Sequence, residues 1–201
     1  MFTGIIQAIG KVAAIEPQGG DRRLHIATGK LDLSATRIGD SIAVSGVCLT
    51  AVQLDEKGFW ADVSAETLSC TTCADLQVGT AVNLEQALTP ATALGGHLVS
   101  GHVDGVGQVL ERQDDARSVR LRIAAPTALA RYIAAKGSIC VDGVSLTVNA
   151  VEGAEFELNI VPHTLQETSL GGYAPGRRVN LEVDIIARYL ERLLESRMGN
   201  G

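Results

Sequence analysis

Aromatic residues and long apolar runs are both scarce in this 201-residue sequence. Three Phe, three Tyr and one Trp make up 3% of the chain, too few for a stacking platform that binds single-stranded nucleic acid. The 17 basic residues are outnumbered by 23 acidic ones, and the net charge of -6 also disfavours nucleic acid. Gly, Thr, Ser or a charge interrupts every apolar stretch before the roughly 20 residues that a membrane helix needs. We therefore expect a globular protein with no nucleic-acid and no membrane partner.

The amino terminus also lacks the features of a secretory signal. Its first six residues contain no basic region, and no cleavage site follows them. We expect a cytoplasmic protein with reduced thiols at its four cysteines, Cys48, Cys70, Cys73 and Cys140. Cys70 and Cys73 form a lone CxxC pair, without the further ligands that zinc needs or the thioredoxin-like context of a redox pair. We predict no metal site.

An internal repeat with an offset of 97 residues dominates the sequence. Residues 3–12 align with 100–109, residues 41–50 with 138–147, and residues 82–85 with 179–182. Without a gap, 23 of the 83 positions from 3 to 85 are identical to their partners, against about 6% expected by chance. The chain is therefore a tandem duplication. We place the domains at 1–88 and 98–184, followed by a separate segment at 185–201.

Short runs rich in β-branched residues predict about six strands in each copy. In the first copy they cover 5–15, 24–28, 42–44, 47–54, 59–63 and 81–86, separated by Gly, Asp and Pro. No helical pattern separates most of them, which predicts an all-β, antiparallel Greek-key barrel in each copy, because closure removes the edges of such a sheet. Apolar spacing predicts short helices at 31–38 and 127–136, of which the second is the clearer.

The segment that follows the second copy has a helical pattern. Asp184 is an N-cap candidate, and apolar residues recur at helical spacing on one face, with charged residues opposite. The apolar residues are Ile186, Tyr189, Leu190, Leu193 and Leu194. We predict an amphipathic helix used for self-association; the alternative is that its apolar stripe packs on its own barrel.

The two copies share the motifs Gly-x-x-x-x-x-Gly, Ser-Ile-x-Val-x-Gly-Val-x-Leu-Thr and Thr-Leu, and they differ at specific positions. The exchanged pairs are Ile5/His102, Gly39/Lys136, Ser45/Asp142, Cys48/Ser145, Glu66/His163 and Ala87/Asp184. The shared positions predict the same pocket twice, and the exchanged positions predict that the two pockets treat one molecule differently. This arrangement suits a reaction between two identical substrates in unlike roles.

Three motifs carry a resemblance to a known family: Met-Phe-Thr-Gly-Ile at 1–5, Gly-Gly-His-Leu-Val-Ser-Gly-His at 95–102, and Asp-Gly-Val-Ser-Leu-Thr at 142–147. Together with the duplication, they resemble the riboflavin synthase family over essentially the whole chain. The resemblance implies a homotrimer that converts two molecules of 6,7-dimethyl-8-ribityllumazine into riboflavin and 5-amino-6-ribitylaminouracil, without a metal or redox cofactor. It implies an active site between the first barrel of one subunit and the second barrel of its neighbour. Some relatives sit inside a lumazine synthase shell, a further possible partner.

Four residues are the catalytic candidates. His102 is a candidate for proton transfer, although a single histidine is often structural. Cys48 and Ser145 occupy equivalent places and offer a soft nucleophile or weak acid and a neutral hydrogen bond, although Cys48 alone could be a small core residue. Asp184 could orient a cation or a base, although helix capping explains it equally well.

The substrate-binding residues that the resemblance implies fall in matching stretches of the two copies. Hydroxyl and ammonium groups at 41, 50 and 67, and at 136, 147 and 164, can bind ribityl hydroxyls and ring carbonyls, while the backbone at 4–6 and 101–103 approaches the ring. Phe2 resembles an amino-terminal aromatic expected to reach the pocket. The first copy contributes Phe2, Gly4, Ile5, Ile6, Ser41, Cys48, Leu49, Thr50, Asp62, Val63, Ser64, Ala65, Glu66 and Thr67. The second copy contributes Gly101, His102, Val103, Lys136, Ser145, Leu146, Thr147, Val161, Pro162, His163, Thr164, Leu165 and Gln166.

Two other functions compete with the enzyme hypothesis. A non-catalytic lumazine or flavin carrier of the same fold would bind a chromophore without chemistry, but His102 together with Cys48 favours the enzyme. A flavin-binding barrel of a reductase would need a nucleotide-binding domain, and a second barrel stands in its place with no Gly-x-Gly-x-x-Gly after a strand.

Overall fold

Two closed β-barrels follow one another along the chain. The computed structural model describes residues 1–198, and each barrel has six antiparallel strands. The first barrel consists of β1 (Ala8–Gln18), β2 (Asp21–Ala27), β3 (Ser41–Val44), β4 (Val47–Leu54), β5 (Gly58–Val63) and β6 (Ala81–Gln86). The second consists of β7 (Gly105–Asp115), β8 (Ser118–Ala124), β9 (Ser138–Val141), β10 (Val144–Glu152), β11 (Glu155–Ile160) and β12 (Arg178–Val183). The predicted pair of six-stranded barrels is confirmed.

Strand order and irregularities repeat between the barrels. The first closes in the order β1-β2-β5-β4-β3-β6, and the second in the matching order β7-β8-β11-β10-β9-β12. The register shifts between Val12 and Ala14 in β1, and again between Val109 and Glu111 in β7. Strands β4 and β10 also carry matching shifts. Bulges of this kind bend a strand and increase its twist, which helps a small sheet to close.

Apolar side chains on alternate strand positions fill each barrel. In β8, Val119, Leu121 and Ile123 are buried, while Arg120 and Arg122 are only partly covered and form ion pairs with acidic residues of neighbouring strands. Burial of one aliphatic side chain stabilises the fold by about 1.5–3 kcal/mol, whereas an exposed ion pair contributes about 1 kcal/mol or less. The alternating apolar residues therefore stabilise the barrels more than the ion pairs do.

The predicted helix at 31–38 is wrong, because this segment consists of turns and irregular backbone. The carboxylate of Asp32 accepts hydrogen bonds from the backbone N–H and hydroxyl of Ser34, and Asp40 accepts one from the N–H of Arg37. Such local side-chain bonds compete with helical ones. The helix predicted at 127–136 is present as a shorter 3-10 helix at Thr127–Tyr132.

The sequence analysis did not predict two six-residue helices, α1 (Ala65–Cys70) and α2 (Pro162–Glu167), which follow β5 and β11. The hydroxyl of Ser64 caps α1 by accepting a hydrogen bond from the N–H of Thr67 at 3.2 Å. Proline stands at the start of α2, where its missing N–H costs no helical bond. Their sequence signals are the capping serine and the proline, since neither helix has a buried residue.

The predicted amphipathic helix is confirmed as α3 (Ile185–Met198). The last three residues of its predicted segment, 199–201, lie outside the described residues. The apolar side chains at 186, 189, 190, 193 and 194 are 50% to 67% exposed, so the chain's own barrel leaves most of this stripe uncovered. Arg188 and Glu191 instead attach the helix to the second barrel, through Asp104 and through Arg131 and Tyr132. No helix within residues 1–198 is long and apolar enough to span a membrane.

The barrels contact each other across a pseudo-symmetric interface. Asn83 donates to the backbone carbonyl of Asp142 at 2.8 Å, and its counterpart Asn180 donates to that of Ser45 at 2.8 Å. Phe2, Ala43, Val99 and Cys140 form a small buried cluster of their own. The interface therefore repeats the same contact in both directions.

Candidate functional site

The loop that precedes each barrel lies on the other barrel. The carbonyl of Gly4 accepts a hydrogen bond from the N–H of Ser145 at 2.8 Å, and the carbonyl of Gly101 accepts one from the N–H of Cys48 at 2.8 Å. Ile6 packs on the second core, and Val103 packs on the first. Each pocket is thus composite: Cys48 lies beside the loop at 101–103, and Ser145 lies beside the loop at 4–6.

Two buried glutamates hold these crossed loops. Glu85 accepts hydrogen bonds from the N–H of Thr3 at 2.6 Å and of Gly4 at 3.0 Å. Its counterpart Glu182 accepts them from the N–H of Ser100 at 2.6 Å and of Gly101 at 2.9 Å. Burial raises the pKa of both carboxyl groups, and the hydrogen bonds that they accept partly offset this rise. Each loop therefore has the same anchor on β6 or β12.

Glycine is required at the crossing points. Gly4 and Gly101 have φ angles of +75° and +80°. A Cβ at Gly4 would lie 2.6 Å from the Cβ of Ser145, and one at Gly101 would lie 2.7 Å from the Cβ of Cys48. The crossed loops therefore touch the strands that carry Cys48 and Ser145 without any side chain between them.

The remaining first-copy candidates lie on β3, β4, the end of β5 and the start of α1, in the barrel that carries Cys48. Ser41 on β3 pairs in register with Thr50 on β4, and residues 62–67 run from the end of β5 into α1. The polar side chains of Asp62, Ser64 and Glu66 are exposed, and so is that of Thr50, whereas Ala65 and Thr67 lie at the start of α1. Leu49 and Val63 are buried in the first core, so only their backbone can face a ligand.

The second-copy candidates lie at the equivalent positions of the barrel that carries Ser145. Lys136 and Thr147 are exposed, and the backbone N–H of Lys136 donates to Val148 on β10 at 2.7 Å. Residues 161–166 run from the end of β11 into α2, with exposed side chains at Val161, His163 and Gln166. Pro162, Thr164, Leu165 and Leu146 are partly covered, and Leu146 and Leu165 pack against the second core.

Phe2 differs from its expected position. Its side chain is 0% exposed in the cluster between the barrels, and its backbone pairs with that of Val99. A Cβ on Gly101 would lie 2.8 Å from the Phe2 ring. The ring therefore supports the loop at 101–103 from below instead of reaching into an open pocket.

Ser145 has a histidine partner that the sequence analysis missed. Nδ1 of His97 lies 2.7 Å from Oγ of Ser145, and the imidazole is 9% exposed. Burial lowers the pKa of His97, while the nearby charge of Asp184 acts in the opposite direction. Nε2 of His97 has no hydrogen-bond partner in the described part of the chain. The sequence feature that could have pointed to His97 is the Gly95-Gly96 pair directly before it. A Cβ at Gly96 would lie 2.9 Å from the Cβ of Ser145, so the close approach of this segment to Ser145 requires glycine.

The four catalytic candidates therefore fall into two groups. His102 is exposed on the loop that crosses to Cys48, and its N–H donates to the hydroxyl of Ser100 at 3.2 Å. Asp184 is half-buried at the start of α3, where it accepts a hydrogen bond from the N–H of Ile186 at 3.0 Å, and it interacts electrostatically with His97. Cys48 is bonded to the loop that carries His102, through its N–H and the carbonyl of Gly101, and Ser145 is bonded to His97.

The cysteines do not form a disulfide or a metal centre in the region that the structure covers. All four are free, with Cys70 exposed and Cys73 buried. Within residues 1–198, no group of three or more His, Cys, Asp or Glu side chains is placed to hold a metal ion.

Comparison with known proteins matches both copies and the whole chain. The lumazine binding domain matches residues 3–87 and 100–184. The chain is 51% identical to the riboflavin synthase of Photobacterium phosphoreum over 194 residues, covering 96% of this chain and 89% of that protein. It is 46% identical to the riboflavin synthase of Brucella abortus over 200 residues, covering 97% and 98%.

A solved structure has the same fold. The crystal structure of LumP complexed with 6,7-dimethyl-8-(1'-D-ribityl) lumazine superposes with a TM-score of 0.83 at 26% identity, covering 91% of this chain and 99% of that one. A duplicated lumazine binding domain, crossed loops over two unlike pockets, and relatives that match from end to end lead to one conclusion: the chain belongs to the riboflavin synthase family.

Proposed function

We propose that this protein is a riboflavin synthase. It transfers a four-carbon unit between two molecules of 6,7-dimethyl-8-ribityllumazine and yields riboflavin and 5-amino-6-(D-ribitylamino)uracil, the last step of riboflavin biosynthesis. The observation that carries the proposal is the pair of composite pockets, alike in backbone and unlike in chemistry: Cys48 with the loop of His102, and Ser145 with His97. Two copies of one substrate that must react in different roles need such a pair.

The first chemical requirement is the removal of a proton from the methyl group on carbon 7 of one lumazine. A neutral imidazole accepts a proton readily near neutral pH, and His102 is the exposed imidazole on the loop beside Cys48. Its counterpart in the other pocket is Ile5, which cannot carry a proton. We therefore assign proton transfer to His102.

The second requirement is activation of the other lumazine. A nucleophile or water adds to it, and Cys48 and Ser145 are the side chains at the equivalent centres of the two pockets. The hydrogen bond to His97 fixes the hydroxyl of Ser145. Asp184 acts through its charge near His97 and through its cap on α3. No external cofactor is required, because carbon is exchanged between two identical molecules.

Recognition uses hydroxyl and ammonium groups around each pocket. Ser41, Thr50 and Thr67 in the first copy, and Lys136, Thr147 and Thr164 in the second, bind ribityl hydroxyls and ring carbonyls. The backbone at 4–6 and 101–103 lies close enough to Ser145 and Cys48 to bound a flat ring. Holding two rings face to face can lower the barrier by roughly 7–11 kcal/mol.

The exposed face of α3 supports assembly into a homotrimer. Five apolar side chains in one stripe on a monomer form an interaction site far more often than a free surface. In the trimer the first barrel of one subunit meets the second barrel of the next, so that the two kinds of pocket face each other. Association with a lumazine synthase shell and a cytoplasmic location stay predictions.

A lumazine or flavin carrier is the second candidate, favoured by the similarity to LumP in its lumazine complex. The two functions differ in turnover. Purified protein mixed with 6,7-dimethyl-8-ribityllumazine, without cofactor, is expected to form riboflavin and the uracil product in equal amounts, one of each per two substrates consumed, measured by absorbance and chromatography. Tight binding without product would support the carrier and contradict the enzyme. His102→Gln serves as the matched variant, and it should bind the substrate and turn it over slowly.

A further inference from the structure

A buried carboxylate lies two residues after His102. The side chain of Asp104 is 3% exposed, and it contacts two other elements. Oδ2 accepts a hydrogen bond from the N–H of Val183, at the end of β12, at 2.8 Å. Oδ1 pairs with the guanidinium of Arg188, on α3, at 2.5 Å. Asp104 thus joins the loop of His102, the second barrel and the terminal helix.

In the first copy, an uncharged side chain makes the equivalent hydrogen bond with the backbone. Gln7 is the repeat counterpart of Asp104, and its Oε1 accepts a hydrogen bond from the N–H of Gln86 at 2.9 Å. A neutral acceptor is therefore sufficient to hold this strand end. The negative charge occurs only in the copy that also has a histidine two residues earlier, where the first copy has Ile5.

Asp104 and His102 line one cavity of about 340 Å³ between the loop and α3. The other ionisable side chains of that cavity are Glu182 from β12, and Arg188, Tyr189 and Arg192 from α3. The carboxylate of Glu182 already accepts hydrogen bonds from the N–H groups of Ser100 and Gly101.

The charge on Asp104 responds to both of its cationic neighbours. Burial raises the pKa of Asp104, while the Val183 N–H, Arg188 and His102 act in the opposite direction. The Val183 N–H and the two neighbouring basic side chains therefore favour the ionised carboxylate against the effect of burial.

We propose that Asp104 is a positioning residue for the reaction: it fixes the loop of His102 against α3, and its charge stabilises the imidazolium that forms when His102 takes the substrate proton. Arg188 competes for the same carboxylate and so moderates this effect. The inference rests on the role that the proposed function gives His102.

The test compares kcat against pH, from about pH 5 to pH 8.5, in four variants. Asp104→Asn should move the acid-side midpoint of the profile to lower pH by roughly half to one unit, because a nearby negative charge favours a protonated imidazole. Arg188→Gln should move it to higher pH, because the competing cation is gone. The double variant should behave like Asp104→Asn. Asp114→Asn, an exposed position at the far end of β7, removes the same charge and should leave the profile unchanged.

A purely structural role gives a different pattern. Both Asp104→Asn and Arg188→Gln would then lower turnover or thermal stability with an unmoved midpoint, and this result would overturn the proposal. Asp104→Gln, which installs the side chain of the first copy, keeps the acceptor and separates folding defects from loss of charge. It should retain the wild-type melting temperature within a few degrees and show the same downward shift.

A second measurement does not depend on turnover. The imidazole C–H signals can be titrated by NMR, with the signal of His102 identified by its absence in His102→Gln. A downward shift of that titration in Asp104→Asn supports the proposal even if the wild-type protein forms no riboflavin, in which case the proposed function fails and not the electrostatic contact. An unshifted titration in an active protein overturns the role of Asp104 alone.

Discussion

His97 and Ser145 form a hydrogen bond of 2.7 Å between Nδ1 and Oγ, although the repeat gives His97 no counterpart. The serine is held by a buried imidazole, while Cys48, its equivalent in the other pocket, has no hydrogen-bonded histidine among the described residues. Burial lowers the pKa of His97 and so favours the uncharged imidazole, in which one ring nitrogen can accept a hydrogen and the other can donate one. The asymmetry between the pockets thus lies in the partners of Cys48 and Ser145 as well as in the two residues themselves.

We expect His97→Phe to lower kcat by about 10-fold or more, in the lower part of the range for loss of an acid-base or orienting group. The variant leaves Ser145 without its partner, at a cost of about 1–3 kcal/mol in unfolding free energy. Steady-state kinetics and urea unfolding measure the two effects. His97→Gln can keep a polar atom near Oγ and should recover most of the stability; an unchanged kcat in both variants would exclude a functional role.

Protein stability should depend on pH through Asp142. This fully buried carboxyl accepts hydrogen bonds from the Tyr173 hydroxyl and the Asn180 N–H, and burial raises its pKa to about 6. A raised pKa in the folded state means that the protonated form stabilises the fold below about pH 4, and that this stabilisation is lost as the pH rises through about 6. The change amounts to about 2–3 kcal/mol.

Asp142→Asn keeps one of the two acceptor oxygens and removes the titration. The difference in unfolding free energy between wild type and Asp142→Asn, measured by urea titration at several pH values, should therefore increase in favour of the variant between about pH 4 and pH 7. Other buried carboxyls, such as Glu85 and Glu182, titrate in both proteins and cancel in this difference. A difference that does not vary with pH would contradict the assignment.

The close contact at Gly101 predicts a selective loss of function. In Gly101→Ala the new methyl group would collide with the backbone and Cβ of Cys48, and the positive φ angle adds about 1 kcal/mol. We expect a loss of at least about 2 kcal/mol in stability and of most turnover. Gly79→Ala is the matched control, because its φ is +93° and no atom lies within 4 Å of its added Cβ. Equal effects in both variants would show that only backbone strain matters.

The apolar face of α3 predicts the behaviour of the assembly. Leu190→Glu combined with Leu194→Glu places charges in the exposed stripe and leaves the contacts of Arg188 and Glu191 with the second barrel intact. Sedimentation velocity should then show a smaller species than the wild type. Val151→Glu, an apolar surface position on β10, is the control and should sediment like the wild type. An unchanged oligomer in the double variant would refute assembly through this helix.

The repeat made much of the fold predictable. Its offset and its β-branched runs gave six strands per copy, and the predicted bounds of β4 and β6 agree with the structure. The wrong helix at 31–38 arose because apolar spacing does not register the hydrogen bonds of Asp32 and Asp40 with the backbone. Helices α1 and α2 are too short for any periodic pattern.

The pockets were less predictable than the barrels. Alignment of Gly4 with Gly101 identifies equivalent loops, but it cannot tell on which barrel each loop lies, because that depends on long-range contacts. His97 was passed over for a related reason: it precedes the second copy and so takes no part in the comparison between copies. A comparison of the two copies can identify only residues that have a counterpart, and His97, which lies in the linker, has none.

The exchange of loops also restricts how this architecture can have arisen. A single-copy ancestor would have lacked half of its own pocket, since the backbone that Ser145 and Cys48 contact comes from the opposite copy. Such an ancestor would have had to exchange its amino-terminal loop with that of an identical molecule before it could hold any ligand. Gene fusion would then join the two copies in one chain, and only after fusion could mutations change the loop of one copy without changing that of the other.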